Sequence, residues 1–217
     1  MTKKQRKIRA VVVKAYLDKL FPFPVCELNF SNNFELLIAV ILSAQCTDKR
    51  VNKITPVLFQ KYSTPQAFAQ MEQKELEKLI FSCGFYTNKA KSIISASKDI
   101  VNKFNGNVPS TFEELITLRG VGRKTANVIL SVAFKVPAIA VDTHVFRVSK
   151  KLGLTEAENV LTCENDLMNL FEKKDWAKLH YQMVLYGRYH CKARGNDGWK
   201  TDFLQFESQF LKDNKME

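Results

Sequence analysis

The sequence predicts an all-α protein of about ten helices. Three observations carry that prediction. Apolar residues recur at three- and four-residue spacing along most of the 217-residue chain. No segment alternates apolar and polar residues over a useful strand length. The breaks between periodic segments fall on proline, glycine and Asn-Gly, residues that end helices.

Taken in order, Ile8, Val11, Val12, Ala15 and Tyr16 form one amphipathic stripe, ended by Pro22 and Pro24. Asn32 with Glu35 reads as a capping box for a helix over 34–45. The unbroken apolar run 36–42 marks that helix as the centre of a core. Thr47 and Asp48 open a helix that Pro56 either kinks or ends. A short helix over 74–82 takes Gly84 as its C-cap. A longer one over 88–104 stops at Asn105-Gly106. Segments 111–118 and 124–134, joined by a glycine turn, form a helix–turn–helix unit that Pro137 prevents from extending. Helices over 143–152, 165–171 and 176–186 follow. No repeat of 20–50 residues and no low-complexity linker is present.

Composition narrows the function classes. Lysine and arginine outnumber acids 33 to 22, a net charge of +11. Such an excess points to a polyanion, nucleic acid first and an anionic membrane surface second. The apolar run 36–42 is far too short to cross a bilayer. The basic N-terminus leads into no signal-type apolar core. Five scattered cysteines without a CxxC argue against a disulfide framework and for a reducing interior.

The chemistry concentrates in Leu118-Arg119-Gly120-Val121-Gly122-Arg123-Lys124. Two glycines around one valine let a tight turn bring several N–H groups together. The following helix adds its positive N-terminal end, and a phosphate fits such a place. Arg119, Arg123 and Lys124 favour that reading over an ordinary hairpin turn. A lysine attacks carbon only when neutral; the helix end, Arg123 and burial would all disfavour the ammonium form of Lys124. Asp142 lies in Val-Asp-Thr-His. A helix over 124–134 runs about 16 Å away from Lys124, and an extended 137–141 covers about 16 Å back. Asp142 can therefore return towards the lysine, and Asp142 or Thr143 can cap the next helix. On spacing alone a structural cap and a surface lysine remain the alternative.

Leu118–Asn127 followed by Ala140–Arg147 resembles the endonuclease III family of helix-hairpin-helix DNA glycosylases. The resemblance extends to Glu27-Leu28-Asn29-Phe30, the 34–45 segment with Thr47-Asp48, Val51-Asn52-Lys53, Gly106, Val108-Pro109, and Gly187-Arg188-Tyr189 with Cys191. It covers roughly 8–195. It implies two helical domains with a DNA groove between them: a six-helix barrel domain over 26–136 carrying the hairpin at about 111–134, and a second domain from 1–25 with 137–217. It implies a bifunctional base-excision-repair enzyme, a DNA glycosylase and abasic-site lyase. An oxidised pyrimidine is flipped out of the duplex. Lys124 attacks C1′, expels the base and forms a Schiff base, and β-elimination cuts 3′ to the abasic site. Asp142 assists base departure and proton transfers. Gln45 matches the residue that fills the gap left by the flipped base, and Phe85 stands where the family usually wedges a leucine. Gly120, Val121, Gly122, Arg119 and Arg123 hold DNA, and His144 is a further polar candidate beside it. The partner implied is double-stranded DNA with damaged pyrimidines or abasic sites, met by a monomer in the bacterial cytoplasm at the nucleoid, with no membrane.

The chain departs from the family in two places. The family's iron–sulfur cluster takes four cysteines spaced C-x6-C-x2-C-x5-C. Cys191 matches the first, and the others fall on Gly198, Thr201 and Glu207. One thiolate cannot hold a cubane, so the expectation is no metal and no cofactor. Trp199, Phe203, Phe206 and Phe210 recur at helical spacing, which predicts a C-terminal helix packed as a staple in its place. Arg119 replaces the proline usual before the first hairpin glycine. Two other functions compete. A monofunctional adenine glycosylase would lack the hairpin lysine and carry a glutamate after the Gln45 segment, where this chain has Thr47-Asp48-Lys49-Arg50. A binding module without activity would need neither Lys124 nor Asp142.

Overall fold

A computed structural model describes residues 1–194 and 198–216. Among them every regular element is helical, and no helix is long and apolar enough to cross a membrane. The backbone divides into two compact units, Cys26–Val136 and Met1–Val25 with Pro137–Glu217.

The 26–136 unit is built around α2 (Asn33–Ser43), whose residues 34–42 are all buried. Such a helix is apolar all round and must be enclosed. It packs against α3 (Asp48–Lys61), α6 (Tyr86–Lys103) and α8 (Arg123–Ala133). Asn32 Oδ1 accepts the Glu35 N–H at 2.9 Å, as expected of the cap. The Glu35 carboxylate reaches one residue further back than a capping box requires, accepting the Ser31 N–H at 2.6 Å. Pro56 lies inside α3, which neither ends nor restarts there. The Asn52 side chain is occupied elsewhere: its amide donates to the Glu27 carbonyl at 2.7 Å and its carbonyl accepts the Asn29 N–H at 2.9 Å. That latch fixes the entry of the unit.

Two short helices follow, α4 (Pro65–Gln70) and α5 (Gln73–Leu79). α4 is an addition to the expected helices: Thr64 caps it and Pro65 starts it. Its Phe68 is fully buried, with the Phe34 ring 5.5 Å away. The 74–82 expectation runs too long, because α5 ends at Leu79 and Ile80 is its C-cap. The left-handed residue beyond it is Phe85, at φ 59°, rather than Gly84. α6 stops as expected, with Asn105 and Gly106 both at positive φ and the Gly106 N–H bonded to the Ile100 carbonyl at 2.9 Å.

The other unit comprises α1 (Lys3–Leu20), α9 (Thr143–Lys151), α10 (Val160–Leu170), a 3-10 turn (Lys173–Asp175), α11 (Trp176–Tyr189) and α12 (Gly198–Asp213). α10 begins well before the expected 165, because the Asn159 side chain accepts the Thr162 N–H at 2.9 Å. Leu17, Val148, Leu167, Met183, Tyr186 and Phe203 share one core. α12 lays the expected aromatic stripe on it. Phe203 is buried, Trp199, Phe206 and Phe210 pack around it, and the Tyr16 ring lies 5.3 Å from Phe203 and 5.0 Å from Phe206. Asp18 on α1 gathers Lys14, Lys178 and Gln182 at 2.7, 2.5 and 2.9 Å. Burial alone would raise the Asp18 carboxyl; hydrogen bonds from Lys14, Lys178 and Gln182 overcome it and hold the group down at about 2.

Candidate functional site

The hairpin runs from α7 (Phe112–Leu115) through a turn into α8. Thr111 starts it, its hydroxyl donating to the Glu114 carboxylate at 2.7 Å and accepting the Glu114 N–H at 3.3 Å. Leu115, Leu118 and Val121 are buried and hold the turn to the unit's core. The Val121 N–H closes it on the Leu118 carbonyl at 3.0 Å.

The two glycines serve different ends. Gly120 has φ 84°, and a Cβ there would lie 2.8 Å from the Ser92 Cβ. It is required by backbone and by space alike. Gly122 is the N-cap of α8 in extended backbone, without a side-chain cap, and a Cβ on it would meet nothing within 4 Å. Its neighbourhood is open, so an incoming group can approach the backbone N–H groups of the first turn. Arg119, Arg123 and Lys124 are exposed around it. The Arg123 guanidinium stands over the Phe112 ring at 5.1 Å. The burial expected of Lys124 is absent. What remains beside the amine is the positive end of α8 and the Arg123 charge.

Gln45 and Phe85 come together although 40 residues separate them in sequence. Both are exposed and both hold left-handed backbone, at φ 52° and 59°. A Cβ on Gly84 would lie 3.7 Å from the Gln45 carbonyl oxygen, so the two turns touch. Beneath them the Cys46 and Cys83 sulfurs are 3.8 Å apart. The buried Lys89 ammonium donates to the Leu42 carbonyl at 2.8 Å, tying the end of α2 to the start of α6. Burial pushes the Lys89 amine below its usual range. Sequence reasoning gave Lys89, Cys46 and Cys83 no part. The one readable signal was a lysine in register with Ile93, Ser97 and Ile100 on the buried face of α6.

Asp142 belongs to the other unit. Buried residues 138–141 lead to it, and it caps α9, Oδ1 accepting the Val145 N–H at 2.8 Å. The cap fixes one oxygen and the orientation of the carboxylate. His144 is half-buried on α9, and a Cβ on Gly187 of α11 would meet its Cβ at 2.9 Å. The glycine thus lets the two helices approach. Burial lowers the His144 imidazole below its ordinary range. Arg147 binds the end of α11, donating to the Gly187 carbonyl at 2.9 Å and the Cys191 carbonyl at 3.1 Å.

Residues 38–173 match the family model of the HhH-GPD superfamily of base excision DNA repair proteins. The chain is 53% identical to the Endonuclease III of Bacillus subtilis (strain 168) over 182 residues, 82% of this chain and 83% of that one. It is 48% identical to the Endonuclease III of Synechocystis sp. over 190 residues, 87% of each chain. Among solved structures, a non-covalent Endonuclease III–DNA complex superposes with a TM-score of 0.88 at 46% identity, covering 98% of this chain and 100% of that one. A trapped Endonuclease III–DNA covalent intermediate superposes with a TM-score of 0.85 at 50% identity, covering 91% and 92%.

These relatives correct the expectation of no cofactor. Endonuclease III proteins are iron–sulfur proteins, and the likeness to them spans most of the chain. That expectation counted thiolates at four fixed positions, which tests those positions and not the iron content of the protein. The fit is poor at the positions themselves. Cys191 is buried, Thr201 is exposed on α12, and the Glu207 carboxylate is 2.9 Å from Arg9 Nε. Among the described residues no three His, Cys, Asp or Glu side chains converge as a metal site would need.

Proposed function

The chain belongs to the HhH-GPD superfamily of base excision DNA repair proteins and is a DNA glycosylase and abasic-site lyase acting on DNA; from that premise we propose that Lys124 is its nucleophile and Asp142 its proton-transfer group. The observation that carries the proposal is Lys124 exposed on the uncapped first turn of α8, two residues after a glycine with open space before it.

The N–H groups of the turn and the positive end of α8 hold a strand phosphate, with Arg119 and Arg123 adding charge. Gln45 and Phe85, on adjoining left-handed turns, occupy the gap and wedge the stack when a damaged pyrimidine is flipped out. The Lys124 amine attacks C1′ of that nucleotide. The bond to the base breaks, and the base leaves with the electron pair and a proton. Asp142 supports the developing positive charge on the sugar and relays the proton shed by the lysine nitrogen to the departing base. Loss of the lysine proton and ring opening give the imine. A base then removes a C2′ proton, and the C3′–O bond breaks on the 3′ side of the abasic site. Oxidised pyrimidines are the proposed lesions. The proposed setting is a monomer at the nucleoid of a bacterial cytoplasm, organised as domains 26–136 and 1–25 with 137–217.

Borohydride reduces the imine to a stable amine, which gives a direct test. Thymine-glycol duplex with borohydride should give a covalent adduct with the parent protein and none with Lys124→Ala. Base release without an adduct would shift the assignment to the monofunctional branch. Duplex binding with neither outcome would leave a binding module.

A further inference from the structure

We propose that Cys46 and Cys83 form a peroxide-sensitive modification site, closing to a disulfide that ties the Gln45 turn to the Phe85 turn. Their sulfurs stand 3.8 Å apart, so a bond of about 2.05 Å needs a closure of only about 2 Å. The two thiols come from different turns whose backbones already touch through Gly84 and the Gln45 carbonyl. Cys46 is partly exposed and Cys83 is 1% exposed. That asymmetry sets the order of events.

Peroxide reaches the Cys46 sulfur first. An S–O bond forms, the O–O bond breaks, and the departing hydroxide takes the thiol proton and leaves as water. The Cys83 sulfur then attacks the Cys46 sulfenic acid. The S–S bond forms, the S–O bond breaks, and the second hydroxide leaves as water with the Cys83 proton. Two thiols are oxidised by two electrons in total, and one peroxide is reduced to two waters. Burial, and after it the Cys46 neighbour, push the Cys83 thiol up to about 11. Cys46, and not Cys83, is therefore the thiol that peroxide attacks first. Disulfides that form in a reducing compartment are usually transient and redox-sensing rather than structural staples.

The consequence rests on the functional reading above. Gln45 directly precedes Cys46 and Phe85 stands two residues after Cys83, and a displacement of about 1–2 Å there misplaces both residues against the DNA. Oxidised protein should then trap about tenfold less abasic duplex with borohydride, with full recovery in dithiothreitol.

The test uses the whole chain. After hydrogen peroxide and alkylation of remaining thiols, mass spectrometry of an unreduced digest should find one cross-linked peptide pair joining Cys46 to Cys83. Cys46→Ser should lack the link and keep parental trapping before and after peroxide, which also covers the case in which buried Cys83→Ser fails to fold. Cys46 recovered only as sulfinic or sulfonic acid, or a link joining other cysteines, overturns the site. A mapped link with undiminished trapping overturns its effect on DNA. A reduced parent that traps nothing counts against Lys124 and leaves the mapped disulfide standing.

Discussion

Phe85 holds an exposed aromatic ring on left-handed backbone, a combination that use at the DNA would account for. An aromatic residue at φ 59° and 64% exposed costs both strain and solvent contact, of order 1–3 kcal/mol in strain alone. Phe85→Gly should therefore raise the melting temperature or leave it unchanged, while abasic-duplex binding falls about tenfold. Calorimetry and a gel-shift titration measure the two. Lys89 is the opposite case, hidden and structural. Lys89→Met would leave the Leu42 carbonyl buried and unpaired, a loss of about 1–3 kcal/mol, read as a shift of the urea midpoint.

Among the elements, the hairpin separates two glycine roles that the sequence wrote identically. Gly120→Ala places a Cβ 2.8 Å from Ser92 at φ 84°, so it should destabilise the protein by about 1–3 kcal/mol. Gly122→Ala meets open space and should cost only the N-cap preference of glycine over alanine, about 0.5–1 kcal/mol. Its methyl group nonetheless stands where a phosphate approaches, so DNA affinity should drop several-fold. Equal losses of stability in the two variants would sink the distinction. α3 teaches a related lesson. Pro56 was readable as an end or a kink of the helix, and α3 does not end there but runs on to Lys61, packed against α2 and latched ahead of the proline at Asn52. Such support lies outside the local sequence.

For the whole molecule, charge and acid stability give two further tests. With +11 overall, DNA affinity should fall steeply with salt, and Arg119→Ala should lower the slope of log affinity against log salt by about 0.9 if that side chain meets one phosphate. Asp18 acts on stability. Its folded carboxyl lies at about 2 against an ordinary 3.8. The stabilisation it gives is thus present above about pH 4 and is lost as pH falls towards 2. The melting-temperature gap between the parent and Asp18→Asn should be widest near neutral pH and should close as acid is added.

The sequence by itself determined the all-α class, the hairpin, the identity of Lys124 and Asp142 as candidates, and the aromatic stripe of α12. Each is written in neighbouring residues: helical period, glycine spacing, a cap beside its helix. Tertiary structure decided the rest. It set Gln45 beside Phe85, Cys46 beside Cys83, Lys89 under Leu42 and Gly187 against His144. It also left Lys124 exposed where burial was expected. These are contacts between residues far apart in the chain, fixed by how helices pack, and no local pattern encodes which distant backbone a side chain will meet.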